Sequence, residues 1–193
     1  MNCTRTINVN ESGGFCTGDV ISFSLLDGEI MEAIAVKNEY DGVIFCAVDC
    51  LATEYAMNAK NTNEGGYEAS DLRKKLNGEI IARFPAELRE RMMPFENGDL
   101  LRIPTEKEIF GVNEYGEEEP EAVKQWEPMK LRRNRIAFQG HNGAWEWYWL
   151  QNRLRDPVSA TNFAYVNGLG NCYYFSASNT WVGVRPAFKI RNL

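Results

Sequence analysis

The chain is poor in the residues from which most metal and redox sites are built. Its 193 residues include a single histidine, His141, and five cysteines, none of which forms a Cys-x-x-Cys pair. Zinc sites need several Cys or His ligands at short spacing, and disulfide frameworks use an even number of cysteines. We therefore expect no catalytic residue, metal or cofactor. Cys46 and Cys50 lie in an apolar run and are predicted to be core thiols.

Long apolar runs and an excess of positive charge are also missing. No segment approaches the ~20 apolar residues of a membrane-spanning helix, and the net charge of −6 disfavours a phosphate-backbone partner. The one dense basic group, Arg132-Arg133-Asn134-Arg135, is interpreted as a solvated face. We expect a protein made in the cytoplasm without a signal peptide, with no nucleic-acid partner and no membrane insertion.

A further absence marks the C-terminal third. From Asn152 to Ala187 the chain has no Lys, Glu, Gln or Met, whereas Asn, Gly, Ser and aromatic residues recur. Tight turns and short strands favour these types, which is one explanation. A binding surface is the other, because Tyr and Trp offer large contact area at low entropic cost and Asn and Ser offer adaptable hydrogen bonds. The candidate ligand-binding residues are Tyr165, Asn167, Leu169, Asn171, Cys172, Tyr173, Tyr174, Phe175, Ser176, Thr180 and Trp181.

Secondary-structure signals are clear in the first half of the chain. Three short apolar runs at 20–26, 30–36 and 43–48 are separated by Asp-Gly turns, which predicts an antiparallel meander. Residues 1–18 carry few apolar side chains and are interpreted as a tail or an edge segment. The length and composition fit one domain over residues 1–193.

Helical periodicity follows the meander. Ser70 or Asp71 can cap a helix whose apolar face is formed by Leu72, Leu76, Ile80 and Phe84. A second helix is predicted to begin at Pro85 and to point three side chains inward, namely Leu88, Met92 and Met93. Thr105-Glu106-Lys107-Glu108 has the spacing of a capping box, which predicts another helical turn.

Residues 113–130 are acidic and are interpreted as a solvated surface insertion, with a cation site as the alternative. Within them, Glu127-Pro128-Met129 differs from the Glu-Pro-Asn of calcium-dependent lectins, since Met is no oxygen ligand. Further on, Trp145, Trp147 and Trp149 alternate along an expected strand, so they share one face, which we predict to be core.

The chain ends in a predicted closing strand over residues 182–190. Pro186 cannot donate to a strand ladder and is predicted to lie at an edge or a bulge. Arg185 is predicted to be structural, with its guanidinium bound to turn carbonyls or a carboxylate. Strand alternation also predicts that one or two of Tyr173, Tyr174 and Phe175 are partly buried.

Three motifs carry a family resemblance. Residues 66–77, Gly-Tyr-Glu-Ala-Ser-Asp-Leu-Arg-Lys-Lys-Leu-Asn, resemble a segment of bacterial and prophage domains with a C-type lectin-like fold. Tyr148-Trp149-Leu150 and the Gly-Val-Arg-Pro-Ala-Phe of residues 183–188 match two other landmarks of that family. Residues 159–188 are similar to the variable region of target proteins of diversity-generating retroelements. The resemblance implies an α+β, C-type lectin-like domain, with two or more helices packed on short antiparallel sheets and a variable region at 148–188.

In such systems a reverse transcriptase miscopies template adenines and writes the result into the target gene. Asn codons ending in a pyrimidine then encode many residue types, but not Lys, Glu, Gln, Met or Trp. The resemblance thereby offers a second explanation for the missing types. The implied diversified positions are Leu169, Cys172, Tyr173, Tyr174, Phe175 and Ser176. Trp181 departs from this codon pattern.

The resemblance implies a ligand-binding protein that recognises a phage or bacterial receptor, with a protein or cell-surface ligand and association with a virion. Two alternatives stay open. One is a phage structural or assembly protein with a fixed partner. The other is an enzyme related to formylglycine-generating oxidases, which act through a cysteine pair near the C-terminal end. Only Cys172 lies in that region here, and Asp156 is the one carboxylate between Glu146 and the C-terminus, so we expect no enzyme.

Overall fold

Short strands and short helices alternate with loops in the computed structural model, which describes residues 14–155 and 158–191. The strands are β1 (Val20–Ser24), β2 (Ile30–Asn38), β3 (Gly42–Ala47), β4 (Met92–Met93), β5 (Ala137–Phe138), β6 (Trp145–Glu146), β7 (Tyr148–Arg153), β8 (Asn162–Val166), β9 (Cys172–Ser176) and β10 (Ala187–Arg191). The α-helices are α1 (Gly66–Ala69), α2 (Asp71–Lys75), α3 (Ala86–Arg91) and α4 (Glu106–Phe110). A π-helical turn (Leu76–Ile80) and a 3-10 turn (Ile81–Arg83) extend α2, and two more 3-10 turns span Glu127–Lys130 and Arg132–Arg135.

The strands form antiparallel sheets, with few and short helices, so the fold is α+β. The sheet orders are β1-β2-β3-β10-β4, β5-β6 and β7-β8-β9. The predicted meander is confirmed, because β1 pairs with β2 and β2 pairs with β3, both antiparallel. Strand β10 then inserts beside β3, so the C-terminal strand closes the sheet that the N-terminal meander begins.

The helix after Ser70 is confirmed, including its cap and its apolar face. The Ser70 hydroxyl accepts a hydrogen bond from the Arg73 amide at 3.1 Å. The four apolar residues at every fourth position are fully buried in one core cluster with the five-stranded sheet, namely Leu72, Leu76, Ile80 and Phe84. The capping box is also confirmed, since Thr105 and Glu108 exchange hydrogen bonds of 3.3 and 3.0 Å at the start of α4.

Two local predictions near the five-stranded sheet are wrong. Met92 and Met93 do not continue helix α3 but form β4, which pairs with β10, because strand pairing outweighs the helical preference of Met. Pro186 does not lie at a sheet edge. It immediately precedes β10, a central strand, and its carbonyl accepts a hydrogen bond from the Ala47 amide at 2.8 Å. A proline directly before a strand removes no ladder donor.

The N-terminal segment packs on the sheet where the structure describes it. Residues 1–13 of the predicted tail lie outside the described residues. Phe15 is buried and meets the Phe45 ring edge-on at 5.0 Å. The Gly18 amide donates to the Ala35 carbonyl at 2.8 Å. The segment from residue 14 to 18 therefore covers the end of β2.

Arg185 is structural, as predicted, and binds carbonyls. Its guanidinium is buried and donates to the carbonyls of Ala47 at 2.6 Å and Asn134 at 3.0 Å, and to the Tyr148 hydroxyl at 3.1 Å. These acceptors belong to β3, to the second 3-10 segment and to β7. One side chain thus joins the five-stranded sheet to the sheet that carries the C-terminal third.

None of the helices in the described part of the chain has the length and apolar character that crossing a bilayer requires. The core thiols are where the sequence places them, because Cys46 and Cys50 are both buried. Of the basic group, Arg132 and Arg133 are exposed.

Candidate ligand-binding surface

Strands β8 and β9 form a hairpin that presents the candidate residues. Its register pairs Tyr165 with Tyr173. At the tip, the Asn167 side chain accepts hydrogen bonds from the amides of Leu169 at 2.9 Å and Asn171 at 3.1 Å. Gly170 has φ +72°, a conformation that favours glycine. This turn leaves the Leu169 side chain 64% exposed.

Aromatic rings form one continuous layer beside this hairpin. We call the aromatic surface the set Tyr115, Trp145, Trp147, Tyr165, Tyr173, Tyr174 and Phe175. Ring centroids are 6.3 Å apart for Trp145–Trp147, 5.2 Å for Trp147–Tyr165, 6.1 Å for Tyr165–Tyr173, 5.1 Å for Tyr173–Tyr174 and 5.2 Å for Tyr115–Tyr174. Such distances are typical of favourable aromatic pairs.

The rings differ in how far they reach solvent. Tyr173 is 49% exposed, Tyr174 and Phe175 are half-buried, and Tyr165 is only 4% exposed. The expectation that one or two of the three neighbouring aromatics on β9 are partly buried is confirmed. Tyr165 stacks on Trp147 and supports the exposed rings from below.

Cys172 also lies inside the molecule. Its thiol donates to a carboxylate oxygen of Glu106 at 3.3 Å. Burial, and then the charge of Glu106, raise the pKa of this thiol well above its ordinary value. Cys172 thus anchors the start of β9 instead of offering its side chain to a ligand.

The other candidate residues reach solvent around the hairpin. Asn171 and Thr180 are exposed, while Asn167 and Ser176 are half-buried. The Ser176 hydroxyl donates to the Asn61 side chain at 2.6 Å. Trp181 is 75% exposed, but within the described residues no ring contact joins it to the aromatic surface.

The three alternating tryptophans differ in how far they are buried. Trp149 is fully buried and its indole donates to the Tyr55 carbonyl at 2.8 Å. Trp147 is half-buried, and Trp145 is 58% exposed. The prediction of a tryptophan core is therefore wrong for Trp145. The three tryptophans do not lie on one continuous strand, because Trp145 belongs to β6 and Trp149 belongs to β7, which is part of a different sheet. Trp145 instead lies over Gly168, where any Cβ would overlap its ring.

The interpretation of residues 113–130 as a solvated surface insertion holds for only part of the segment. Glu117, Glu118 and Glu121 are exposed, as expected. Trp126 and Met129, however, are buried in the second core cluster, which packs β7 and β8 from the other side. The segment also contributes Tyr115 to the aromatic surface, a role for which the sequence offered no periodic signal.

A pair of carboxyls that sequence reasoning missed lies next to this surface. Glu146, between Trp145 and Trp147, is buried, and the Glu54 carboxyl lies close enough to act on its pKa. Burial, together with the Glu54 carboxyl, raises the pKa of Glu146 to about 7, against the lowering effect of the Trp147 amide, which donates to it at 2.7 Å. Glu54 also accepts a hydrogen bond from the Gln139 amide at 3.4 Å.

We expect this pair to make stability fall as pH rises. The ordinary pKa of a Glu carboxyl is 4.5, and in the folded chain that of Glu146 is about 7. Between these values the folded state holds more protons than the unfolded state, so the free energy of unfolding decreases through this window and the loss is complete above it. After allowance for solvent screening, the loss is about 1–2 kcal/mol.

Urea unfolding of the wild type and of Glu146→Gln at about pH 5 and about pH 8 measures this effect. The variant cannot ionise at this position, so the contribution of the pair to the decline should disappear. An equal decline in both proteins would show that another group causes it.

Among residues 14–155 and 158–191, no group of three or more His, Cys, Asp or Glu side chains is placed to hold a metal ion. Asp156 lies outside the described residues. No protein-family model, curated protein or solved structure shows significant similarity to this chain.

Proposed function

We propose that this chain is a ligand-binding protein that displays a diversified surface on a C-type lectin-like scaffold, for recognition of a phage or bacterial receptor. The observation that carries the proposal is the solvent exposure of Leu169 and Tyr173 on the β8–β9 hairpin. Both lie in the segment without Lys, Glu, Gln or Met. The proposed diversified positions therefore include side chains that a ligand can reach.

The physical properties of the aromatic surface favour this role. Tyr and Trp dominate binding energy at protein interfaces because they bury large areas with few rotatable bonds. Exposed Tyr173 and Trp145 rest on half-buried and buried rings, which hold them in place before a ligand arrives. A preorganised surface spends less free energy on ordering its side chains when it binds.

The scaffold part of the proposal is supported by the three sequence landmarks. Leu72, Trp149 and Arg185, one from each landmark, are fully buried or nearly so. They tie the helical segment, β7 and the C-terminal strand into one packed structure, while the residues with proposed variability lie mostly at its periphery. This division separates stability from recognition, as a diversified protein requires.

We expect Tyr173→Ala to abolish most binding while leaving the fold intact. The probe is a peptide that is selected for binding to the wild-type protein from a random dodecapeptide library. Truncating a central aromatic anchor costs about 2 kcal/mol or more, which is roughly a 30-fold rise in Kd. The free energy of unfolding should change by less than about 1 kcal/mol, since half of the ring is already in water.

Tyr40→Ala is the matched control, because Tyr40 is fully exposed in the turn between β2 and β3. It should bind the peptide with wild-type affinity. If Tyr173→Ala unfolds the protein, Tyr173 is a core residue and the proposal fails. It also fails if several selected peptides bind Tyr173→Ala as tightly as the wild type.

A further inference from the structure

We propose that Tyr115 and the loop around it form a constant half of the ligand-binding surface, positioned by the buried carboxylate of Glu106. This inference rests on the function proposed above. Tyr115 lies outside residues 148–188, as do Trp145 and Trp147, so a ligand would contact fixed aromatic residues beside the diversified ones. The ligand chemistry that fits is an apolar segment of a peptide or protein, because the surface offers rings and phenol hydroxyls.

The ring of Tyr115 already belongs to the aromatic surface. Its centroid lies 5.2 Å from that of Tyr174 and 6.0 Å from that of Tyr173, both edge to face. It is half-buried, so part of the ring remains available. Any ligand that covers Tyr173 and Tyr174 would therefore come close to Tyr115.

Glu106 fixes the loop around Tyr115 through hydrogen bonds from the interior of the protein. The residue is fully buried at the start of α4. One carboxylate oxygen accepts the amides of Tyr115 at 3.2 Å and Gly116 at 3.1 Å, and the other accepts the Asn113 side-chain amide at 3.2 Å. A buried carboxylate that accepts several N–H donors fixes the backbone that supplies them.

A second carboxylate fastens the same loop to β7. Glu119 accepts hydrogen bonds from the side chains of Asn113 at 2.8 Å and Asn152 at 2.9 Å. Asn152 in turn accepts the Glu106 amide at 2.8 Å. The acidic residues are thus used as hydrogen-bond acceptors for amides, and the loop is joined to the sheet that carries the hairpin.

Gly116 lets the loop approach this closely. A Cβ at residue 116 would overlap the Asn152 side chain. Gly116 forms a β-bridge with Leu154, and the next amide, that of Glu117, donates to the Arg153 carbonyl at 3.0 Å. The loop therefore runs alongside the end of β7, and Tyr115 immediately precedes this fixed point.

The same Glu106 carboxylate also receives the Cys172 thiol from β9. It consequently contacts both halves of the surface: the constant loop through Tyr115 and the diversified strand through Cys172. We infer that Glu106 is a positioning residue that sets the distance between Tyr115 and the β9 tyrosines.

Titration of the selected peptide with the Tyr115→Ala variant tests whether Tyr115 contributes to the ligand-binding surface. We expect the Kd to rise at least about 10-fold, whereas Tyr40→Ala should leave it unchanged. If Tyr173→Ala loses affinity and Tyr115→Ala does not, the constant half does not exist, although the proposed function stands. If neither variant loses affinity, the proposed function itself fails.

A double-mutant cycle tests the positioning role. Glu106→Gln should weaken binding about 10-fold in the wild-type background and have little further effect in the Tyr115→Ala background, because its influence passes through Tyr115. An equal loss in both backgrounds would overturn the positioning role. Should Glu106→Gln fail to fold, Asn113→Ala, which removes the side-chain amide that joins the Tyr115 loop to Glu106 and Glu119, takes its place in the same cycle with the same two outcomes.

Discussion

Arg185→Ala is expected to lower the free energy of unfolding by about 3–5 kcal/mol. The guanidinium is buried and satisfies the carbonyls of Ala47 and Asn134 and the Tyr148 hydroxyl. Its removal leaves these acceptors without donors in a site where water has little access, and it also leaves a cavity beside the Tyr148 ring, which the guanidinium faces at 5.1 Å.

Urea unfolding followed by circular dichroism measures the loss. Arg133→Ala is the control, because Arg133 is exposed in the 3-10 turn Arg132–Arg135. This substitution should change the free energy of unfolding by less than about 0.5 kcal/mol. If Arg185→Ala unfolds at nearly the same urea concentration as Arg133→Ala, Arg185 does not hold the two sheets together.

Trp149→Ala is expected to cost about 3–5 kcal/mol of folding free energy, whereas Trp145→Ala should cost less than about 1 kcal/mol. The two residues are four positions apart in the same tryptophan-rich run. Trp149 fills the core and donates its indole proton to the Tyr55 carbonyl, while more than half of the Trp145 side chain is in contact with solvent.

Comparison of Trp149→Ala with Trp145→Ala distinguishes a core residue from a surface residue within one sequence motif. Thermal and urea unfolding of both variants provides the comparison, with the selected peptide as a second readout. Trp145→Ala should weaken peptide binding while remaining folded, since Trp145 is part of the aromatic surface. Equal destabilisation by the two substitutions would place Trp145 in the core and shorten the surface at this end.

The elements that sequence predicts well are those with local signals. Leu72, Leu76 and Ile80 recur at helical spacing, and Ser70 is a good N-cap residue, so this helix follows from short-range rules. The meander likewise follows from alternating apolar runs and Asp-Gly turns. The exposure of Leu169 follows from a turn in which Asn and Gly fix the backbone.

The elements that sequence does not predict depend on distant residues. Met92 and Met93 become a strand because β10, almost a hundred residues later, offers a free edge. Tyr115 joins the aromatic surface only because Glu106 and Asn152 hold its loop. Such contacts leave no periodic trace in the chain, since each involves one residue from each of several segments.

The burial of individual candidate residues is also not predictable from the sequence. Tyr165 and Tyr173 are both Tyr and are directly paired across the hairpin, yet one supports the surface and the other presents it. Strand alternation predicts opposite faces within one strand, but both faces of this sheet meet a core cluster. Which ring reaches solvent depends on where each cluster ends.

Sequencing of the DNA that flanks the gene shows whether the chain carries a diversified surface on a fixed scaffold. We expect a non-coding near-copy of the segment for residues 148–188, which differs from the gene only opposite template adenines, next to a reverse transcriptase gene. The mismatches should fall on codons such as those of Leu169 and Tyr173. Differences scattered over all four bases, or concentrated on codons for buried residues such as Trp149, would contradict it.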